Sequence, residues 1–524
     1  MADTKREIER KYELPESLDG PQAGDRTWLP ALTQVRAVSA VVHQGVSELD
    51  AVYYDTADLR LTADSRTLRR RTGGADAGWH LKFPVSTGIR DEIQAPLAET
   101  VPPELSALLR SRIRRAELIP VVRLRTARDV THLLDADGAL LAEVSVDAVR
   151  AVRLTEHPAT ASWTEVEVEL ADDGDPAFLD AVEKKLRKAG LRPASAPSKL
   201  ARALAETAPD GAGGPQSGEL APAQATEPAP ATAGDHVLAY LRTQADVIVA
   251  QDPAVRRDLP DSVHQLRVAT RRMRSAFRTS RQILDRSVTD PIAEELKWLA
   301  GELGIDRDHE VLDERLGARL DAVPETLLLG PVRARLRVWS VAQRAGSRSS
   351  TLAVLDSERY LSLLDTLDAL LAEPPRRPAA AGPPGKVLPK AVLKDYDRLA
   401  GRVAHALALA PGEERDVALH NARKAAKRAR YAAEAVRPAL GKPAKRLAKR
   451  MKAVQTVLGD HQDSVVARDA LRSLAIQAHA AGESAFTWGL LYGREEAQAD
   501  RREKELPEVW AKASARKWRA ALTR

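Results

Sequence analysis

Residues 7–14, EIERKYEL, are the stretch from which the fold of the first half of the chain can be argued. A strand sends successive side chains to opposite faces, so a strand here places Glu7, Glu9, Lys11 and Glu13 on one face. Two carboxylates one pleat apart can share a hard divalent cation such as Mg²⁺, and a neighbouring lysine can meet an anion that the cation holds. Taken alone, the stretch is more simply explained as a solvated strand face, so the later strands must decide.

The composition predicts a globular protein of more than one domain. With 524 residues the chain is too long for one ordinary core, and 44% hydrophobic residues are enough for folding. Aromatic residues make up only 4%, which disfavours a site that binds bases mainly by stacking. The absence of cysteine excludes disulfides and thiolate metal sites and fits a reducing compartment. No apolar run reaches the roughly 20 residues that a membrane helix needs, so we expect a cytoplasmic protein without a membrane partner.

Three regions follow one another along the chain. Residues 1–207 show mainly strand-like alternation, and residues 208–232 are rich in Ala, Pro, Gly and Gln without periodicity, which predicts a flexible linker. Residues 233–524 show the 3.6-residue period of amphipathic helices. The expected fold class is therefore an α+β first domain followed by an all-α second domain.

The first domain should contain antiparallel strands with a few helices beside them. The turn around Gly73-Gly74 indicates a hairpin, with one strand on each side. The hairpin strands are 67–71 and 78–83, and the other predicted strands are 46–55, 88–95, 121–134, 139–147 and 162–170. The predicted helices are 102–110, 175–189 and 199–206.

The second domain contains an internal repeat, on either side of a Pro-rich break at residues 373–389. The set His264, Arg267, Arg271, Arg272 and Arg274 recurs with identical offsets as His420, Arg423, Lys427, Arg428 and Arg430. A Leu-Gly-x-x-(Arg/Gln)-Asp motif follows each set, ending at Arg307-Asp308 and Gln462-Asp463. Matching offsets in two separated stretches indicate a duplication, so we predict two helical bundles of common origin, at about 233–372 and 390–510.

Charged side chains also share faces on the predicted strands of the first domain. These sets are Arg69 with Arg71, His80 with Lys82, Arg90 with Glu92, Arg123 with Arg125 and the nearby Arg128, and Glu165, Glu167 and Glu169, with Asp147 ending the preceding strand. Solvated faces are common in antiparallel sheets, although such faces usually mix Thr, Ser, Lys and Glu. If these faces point into a closed sheet, they form one basic and one acidic wall, which suits a compact polyanion that carries metal ions.

In the order of these sets, residues 5 to about 205 resemble the CYTH family, the triphosphate tunnel metalloenzymes. The Tyr54-Asp55-Thr56 segment and Lys199 extend the resemblance. It implies an eight-stranded antiparallel tunnel with flanking helices and a metal-dependent attack on triphosphate, with Mg²⁺ or Mn²⁺. The implied phosphate contacts are Arg69, Arg71, Lys82, Arg90, Lys199 and an arginine of the segment with Arg123, Arg125 and Arg128. Glu7, Glu9 and Lys11 are the implied catalytic residues, and the implied metal ligands or their supports are Glu7, Glu9, Asp147, Glu165, Glu167 and Glu169.

The repeated sets of the second domain form basic stripes if they are helical. His264, Arg267, Arg271, Arg274 and Arg278 follow helical spacing, with apolar side chains on the opposite side. A solvated basic face would explain such a stripe if glutamates were interleaved, but none occurs between His264 and Arg281. Crowded like charges repel each other, so an anionic partner is expected.

Residues 233 to about 510 resemble the CHAD domain, through both His-containing sets, Lys297-Trp298-Leu299 and the two Leu-Gly motifs. The resemblance implies that long-chain inorganic polyphosphate binds in a basic groove. The implied contacts are His264, Arg267, Arg271, Arg272, Arg274, Arg278, Arg307, His420, Arg423, Lys427, Arg428 and Arg430. Gln462 departs from the pattern, because the first copy has Arg307 at this position. The histidines lack carboxylate partners one helical turn away, which favours phosphate contacts over a metal site.

The favoured hypothesis is a metal-dependent triphosphatase, acting on inorganic triphosphate, that is tethered to a polyphosphate-binding module and could associate with polyphosphate granules. The alternatives are a non-catalytic polyphosphate-binding scaffold, an adenylate cyclase or thiamine triphosphatase on the same tunnel, and a nucleic-acid binder that uses the basic helices. The carboxylate set argues against a simple scaffold, and the scarcity of aromatic residues weakens the nucleic-acid alternative.

Overall fold

The computed structural model describes residues 3–14, 29–155, 158–208, 231–344 and 346–523, without the side chains of residues 3, 305–308, 343, 344 and 347. The predicted linker at 208–232 therefore lies almost wholly outside the described residues. The chain divides into two compact units, Met1–Thr226 and Glu227–Arg524.

The first unit contains eight long antiparallel strands. They are β1 (Asp3–Glu13), β2 (Ala40–Asp55), β3 (Thr67–Thr72), β4 (Gly78–Ser86), β5 (Ile89–Ala95), β6 (Ile119–Leu134), β7 (Leu140–Arg153) and β8 (Thr160–Leu170), and a two-residue strand β9 (Arg192–Pro193) pairs with the end of β1. The predicted hairpin is confirmed as β3 and β4, and Gly73 and Gly74 both have positive φ at its turn. Strand β7 runs past Asp147, which therefore lies within the strand and not at its end.

The strands close into a barrel, as predicted. The sheet order is β5-β4-β3-β2-β6-β7-β8-β1, and β1 also pairs with β5. The closing strand β1 is shared along its length, because Asp3–Ile8 pair with β5 and Glu9–Glu13 pair with β8. Closure gives every strand an inner and an outer face, so the two-residue period of each strand separates tunnel residues from packing residues.

Helices cover the apolar outer face and one end of the barrel. The four helices are α1 (Arg60–Ala63), α2 (Pro103–Ile113), α3 (Ala177–Lys188) and α4 (Lys199–Glu206). Leucines of α2 pack against Trp79 and Leu81, and apolar residues of α3 pack against Tyr12 and Val166. Because these strand residues alternate with the charged ones, burying them under helices turns the charged residues toward the interior. Helix α4 packs against the inner-face residue Trp163.

The second unit is helical throughout its described regular structure, as predicted. Its helices are α5 (Ala233–Arg256), α6 (Ser262–Thr279), α7 (Arg286–Glu302), α8 (Gly304–Asp321), α9 (Val332–Arg344), α10 (Ser347–Asp356), α11 (Glu358–Ala372), α12 (Pro384–Ala408), α13 (Glu413–Ala435), α14 (Arg437–Ala480), α15 (Phe486–Ala513) and α16 (Arg516–Ala520). A break separates α11 from α12, but α12 begins at Pro384, before the predicted end of the break at Pro389. Pro384 can begin the helix, because an amide hydrogen at the first helical position would have no partner within the helix.

The two repeated sets lie on α6 and α13, which pack into one core. On α6, Leu266, Met273 and Phe277 are buried opposite the basic stripe. On α13, the alanines of the opposite side, including Ala422 and Ala426, are buried in the same cluster. The predicted amphipathic division is therefore confirmed for both helices, while the common origin of the two halves stays a prediction.

Candidate active site and basic helix surface

Strand β1 places Glu7, Glu9 and Lys11 on the inner face of the barrel, where they form ion pairs with other inner-face residues. Glu7 Oε2 lies 2.5 Å from Lys82 Nζ. Glu9 Oε1 lies 3.3 Å from Lys11 Nζ and 3.9 Å from the Nε atom of Arg90. Both glutamates are buried, so the solvated-face explanation of this stretch is excluded by the structure.

A second acidic group lies on the adjoining strands β7 and β8. Asp147, Glu165 and Glu167 are all buried, and one oxygen from each lies within 4.8 Å of the others. We call these three residues the acidic cage. Lys199 Nζ, from the first residue of α4, lies 2.9, 2.7 and 2.6 Å from Asp147, Glu165 and Glu167 respectively.

Two further cations connect the acidic cage to the rest of the interior. Arg128 donates hydrogen bonds to both Asp147 oxygens, at 2.8 and 2.7 Å, and to Glu167 at 2.7 Å. Lys11 pairs with Glu167 as well as with Glu9. The catalytic candidates of β1 and the acidic cage therefore form one continuous network.

The pKa shifts in this network show how strongly the charges depend on each other. Burial alone would raise the pKa of Glu167, but Lys11, Lys199 and Arg128 outweigh burial and hold it well below its usual value. Burial likewise opposes the charged form of Asp147, while Arg128 and Lys199 lower its pKa. Glu7 behaves differently, since burial and the nearby Glu92 raise its pKa to about 7 despite Lys82.

The basic wall is formed by strands β3 and β4. Arg69 and Arg71 are largely buried, and the Nε atom of each has no hydrogen-bond partner among the described residues. Burial, Arg69 and Arg128 lower the pKa of Arg71. Partly unsatisfied guanidinium groups that repel each other favour an anion with several oxygens.

Two residues that contact this wall, Glu92 of β5 and His80 of β4, are absent from the predicted site. Glu92 lies 3.6 Å from Lys82 and 3.7 Å from Arg69, and it is hydrogen-bonded to His80 Nδ1 at 2.9 Å. Burial lowers the pKa of His80 to about 4, which favours a neutral ring. The two-residue spacing of His80 to Lys82 and of Arg90 to Glu92 is the sequence signal that places these side chains inside.

Arg123 and Arg125 do not face the tunnel, so neither is the predicted phosphate contact of this segment. They lie on the outer face of β6, where Arg123 pairs with Asp50 at 2.5 Å and Arg125 lies 3.6 Å from the same carboxylate. Arg128 lies on the opposite face, because its position differs from that of Arg125 by three, an odd number, and no bulge interrupts β6 between them. Among these three arginines, Arg128 therefore faces the interior.

Glu169 also lies outside the acidic cage. It pairs with Lys5 at 2.7 Å and is partly exposed. Glu169 lies four residues beyond Glu165, which is roughly 13 Å along β8, so it lies too far away to share a ligand position with Glu165. Contrary to the sequence prediction, Glu169 therefore does not share the ligand cluster of Glu165 and Glu167.

The acidic cage fits a divalent metal by its donor chemistry. Carboxylate oxygens are the ligands that Mg²⁺ and Mn²⁺ prefer, and these three converge in a buried place. Glu165 Oε1 makes no well-directed hydrogen bond, although Lys199 Nζ lies in ion-pair distance of it. Glu165 Oε1 can therefore serve as a ligand to a metal ion, because Lys199 does not give it a well-directed hydrogen bond.

In the helical unit, the second basic residue of each set lies against its Leu-Gly motif. Arg267 donates a hydrogen bond to the Gly304 carbonyl at 3.1 Å. Arg423 lies beside Gly459, where a Cβ atom would be 3.6 Å from its Nε atom, and 3.4 Å from Asp463. The repeated arginines therefore both lie against their Leu-Gly motifs.

The two basic helices converge at one carboxylate and at one pocket. Glu434 pairs with Arg272 of α6 at 3.3 Å and with Arg430 of α13 at 2.8 Å. A pocket of about 350 Å³ nearby is lined by Arg278, Arg281, Arg286, Arg398 and Arg428, with Asp290, Ala293 and Glu294. Arg281, Arg286 and Arg398 were not predicted, because they lie outside the repeated sets.

Like charges crowd this region of the helical unit. Burial and the positive charges of Arg278, Arg271 and Arg428 lower the pKa of Arg274. Burial, Arg398 and Arg278 likewise lower the pKa of Arg428, although Asp395 opposes them. The basic residues of α6 and α13 therefore form one electrostatic surface, which we call the basic groove.

Histidines of the helical unit have different surroundings. Burial and the neighbouring cations lower the pKa of His420, while Gln462, the residue that departs from the repeat, opposes this shift. The side chain of Arg307 lies outside the described residues, and its predicted phosphate contact stays a prediction. His461 Nε2 lies 3.2 Å from Asp416 and 3.1 Å from Glu503.

The His461 cluster is balanced by arginines. Asp416 pairs with Arg468 and Glu503 pairs with Arg415, each at 3.0 Å. Aspartate, histidine and glutamate can ligate metals, and the three side chains lie close enough together to do so. As described, they form an ion-pair network with arginines that joins α13, α14 and α15.

Along each of the two units, the chain is similar to known protein families and structures. A CYTH domain model matches residues 5–204, and a CHAD domain model matches residues 239–472. Protein MT2285 of Mycobacterium tuberculosis is 39% identical over 522 residues, which cover 95% of this chain and 94% of that protein. PptA from Streptomyces chartreusis is 24% identical with a TM-score of 0.46, covering 53% of this chain and 99% of that structure. The CHAD domain of Ricinus communis is 27% identical with a TM-score of 0.43, covering 55% and 93%.

No helix in the described part of the chain has the length and apolar character needed to cross a membrane.

Proposed function

This chain belongs to the family of proteins that join a CYTH domain to a CHAD domain, and we propose that its barrel hydrolyses inorganic triphosphate while its helical unit binds long-chain polyphosphate. The observation that carries the proposal is the pairing of two walls inside one closed barrel. The acidic cage lies on β7 and β8, and the largely buried arginines Arg69 and Arg71 lie on β3.

The chemistry of the two walls suits a short, highly charged phosphate chain. Arg69, Arg71 and Arg128 can each offer a planar fork of donors to phosphate oxygens, and Lys82 and Arg90 add further positive charge. A divalent metal held by Asp147, Glu165 and Glu167, with Glu9 beside them, supplies charge neutralisation and can activate a water. Lys11 bridges Glu9 and Glu167, which places its ammonium where it can stabilise charge that develops on phosphate.

The substrate preference follows from what the interior contains. Among the described inner-face residues of the network, charged side chains predominate. The aromatic side chains Tyr53 and Trp163 contact these charged groups, with Tyr53 3.4 Å from Arg69 and Trp163 donating a hydrogen bond to Glu165 at 2.6 Å. This supports a substrate that is recognised by its phosphates alone, and it favours inorganic triphosphate over thiamine triphosphate or ATP.

The experiment is an assay of phosphate release by the purified full chain. Inorganic triphosphate, ATP and thiamine triphosphate are compared with Mg²⁺, with Mn²⁺ and with EDTA. We expect metal-dependent release that is fastest with inorganic triphosphate. Faster turnover of thiamine triphosphate, or cyclic AMP formed from ATP, would replace this substrate assignment. No turnover of any substrate with either metal would favour the scaffold alternative.

Polyphosphate binding by the helical unit rests on the basic groove. Its arginines come from both α6 and α13, and no acidic residue interrupts the stripe from His264 to Arg278. A linear polyanion would release counterions on binding, so the affinity should fall steeply with salt. Competition between polyphosphate and duplex DNA at equal phosphate concentration separates the two polyanion classes. Equal competition would favour the nucleic-acid alternative for this unit.

A further inference from the structure

Lys199 occupies the centre of the acidic cage because it is the first residue of α4. Ser198 caps the helix, since its hydroxyl accepts a hydrogen bond from the Ala201 amide at 3.1 Å. Lys199 follows immediately and is buried, with its Nζ atom within 2.9 Å of all three carboxylates. A long side chain on an exposed helix would normally keep its charge in water, so the position of this ammonium is a feature of the fold.

The start and the end of α4 are both fixed to the barrel. Arg90 donates a hydrogen bond to the Pro197 carbonyl at 2.6 Å, just before the helix. Arg153 donates one to the Leu204 carbonyl at 2.7 Å near its end. Leu200 and Leu204 are buried against inner-face residues of the strands. The helix therefore holds the Lys199 backbone in place, and the flexible part of the arrangement is the side chain.

The acidic cage needs a positive charge whether or not it holds a metal. Three ionised carboxylates in a buried place repel each other and have lost their solvation, and a charge left unpaired there is strongly destabilising. An ammonium group and a divalent cation cannot both lie in contact with the same three oxygens. The metal would lie about 2.0–2.6 Å from each oxygen, and the two positive charges would repel each other at close range.

We propose that Lys199 is the resident counterion of the acidic cage, which must withdraw from Asp147, Glu165 and Glu167 before a divalent metal binds there. Lys199 thereby weakens metal binding in the absence of substrate. A triphosphate in the tunnel offers the displaced ammonium a new anionic partner, so metal and substrate load together. The proposal takes its metal ligands from the proposed function, but it concerns metal binding and does not require that triphosphate be hydrolysed.

The test measures Mn²⁺ binding to the full chain without substrate, by calorimetry and by the paramagnetic resonance of free Mn²⁺. Lys199→Met keeps the length of the side chain and removes its charge. We expect it to bind Mn²⁺ at least about tenfold more tightly than the natural chain, because the competing cation is gone. Arg202→Met is the matched control, since it removes a cation one turn along α4 that contacts Glu13 and Trp163. Its Mn²⁺ affinity should equal that of the natural chain.

Thermal melting is the second measurement. Without metal, Lys199→Met should melt at a lower temperature than the natural chain, and Mn²⁺ should raise its melting temperature by more than it raises that of the natural chain. If Lys199→Met is unfolded without metal, its folding is titrated with Mn²⁺. Folding driven by Mn²⁺ supports the proposal, and failure to fold at saturating Mn²⁺ overturns it.

Folded Lys199→Met that binds Mn²⁺ as weakly as the natural chain, or more weakly, also overturns the proposal. Lys199→Arg keeps the charge and should bind Mn²⁺ no more tightly than the natural chain, so tighter binding by this variant would contradict a charge effect. If the natural chain releases no phosphate from triphosphate while Lys199→Met binds Mn²⁺ more tightly, the proposed function fails and the counterion role stands. If the natural chain hydrolyses triphosphate but Lys199→Met and the natural chain bind Mn²⁺ equally tightly, the counterion role fails and the proposed function stands.

Discussion

The tunnel and the basic groove both concentrate positive charge, but they treat it differently. In the tunnel, nearly every described inner-face cation has a carboxylate within ion-pair distance, as Lys82 has Glu7 and Arg128 has Asp147. In the basic groove, the stripe of α6 carries no acidic residue from His264 to Arg278. An interior with both signs of charge can bind a phosphate chain together with metal ions, whereas a surface on which positive charges predominate can bind a polyanion directly. The difference predicts that triphosphate turnover in the first unit depends on divalent metal, and that polyphosphate affinity in the second unit depends on salt concentration.

The largest expected effect is on the metal side of this comparison. Glu9→Gln should reduce turnover of triphosphate by about 10²–10³-fold, since a buried charge next to the acidic cage is lost while the shape is kept. Glu13→Gln is the control, because Glu13 lies on the same face of β1 but bonds to Ser195. Steady-state phosphate release at saturating Mg²⁺ is the measurement, together with the melting temperature. Natural turnover in Glu9→Gln would show that metal is not held near this residue.

A smaller loss is expected from the basic wall of the tunnel. Arg69→Ala and Arg71→Ala should each lower kcat/KM for triphosphate by about 10–100-fold, since forked contacts strengthen as charge develops. Arg123→Ala and Arg125→Ala remove the same side chain from the outer face, so they should stay within about twofold of the natural kcat/KM. If the outer-face variants were the impaired ones, the assignment of the faces would be reversed.

Charge reversal in the basic groove and added salt should each weaken polyphosphate binding. The charge reversal should leave triphosphate turnover in the tunnel unchanged. Arg271→Glu combined with Arg274→Glu should weaken long-chain polyphosphate at least about tenfold, because a linear polyanion is held mainly by summed charge. A full chain that also carries Glu9→Gln prevents hydrolysis during the titration. The matched control reverses Arg333 and Lys512, which pair with Asp321 and Glu508 on the surface. Triphosphate turnover of the double variant, measured without Glu9→Gln, should remain natural.

Chain length and salt complete that measurement. Affinity should rise with chain length until the basic residues of both helices are engaged, since the second set then meets a tethered ligand. It should fall as salt increases and should not require divalent metal. Polyphosphate affinity that is unchanged by charge reversal, or that is lost with EDTA, would remove the contrast between the two units.

The smallest expected effect concerns Glu434, a carboxylate that pairs with an arginine of each basic helix. Glu434 pairs with both Arg272 and Arg430, so Glu434→Gln should release two cations to the ligand. We expect a roughly two- to threefold gain in polyphosphate affinity at low salt, a size typical of partly exposed pairs. Glu508→Gln, in the exposed pair with Lys512, should leave the affinity unchanged. A loss of affinity in Glu434→Gln would mean that this carboxylate positions the arginines and does not merely compete for them.

Most of the secondary structure follows from residue patterns. The two-residue period of β1 and β8 separates the charged face from Val166 and Val168 without any knowledge of the partner strands. The 3.6-residue period of α6 and α13 does the same for the buried alanines and the basic stripe. Errors arose where a pattern was applied to a whole segment, as when Arg123, Arg125 and Arg128 were grouped although their parity differs.

Which charges meet was decided by tertiary structure. The sequence alone determined that carboxylates and cations alternate on one face of several strands, because side-chain direction in a strand depends on local geometry. It could not determine that β1 divides its pairing between β5 and β8 or that α4 returns across the barrel. These contacts join residues far apart in the chain, and their register depends on closure of the whole sheet. For that reason Glu9 was recognisable from its neighbours, while the place of Lys199 among Asp147, Glu165 and Glu167 was visible only in the folded chain.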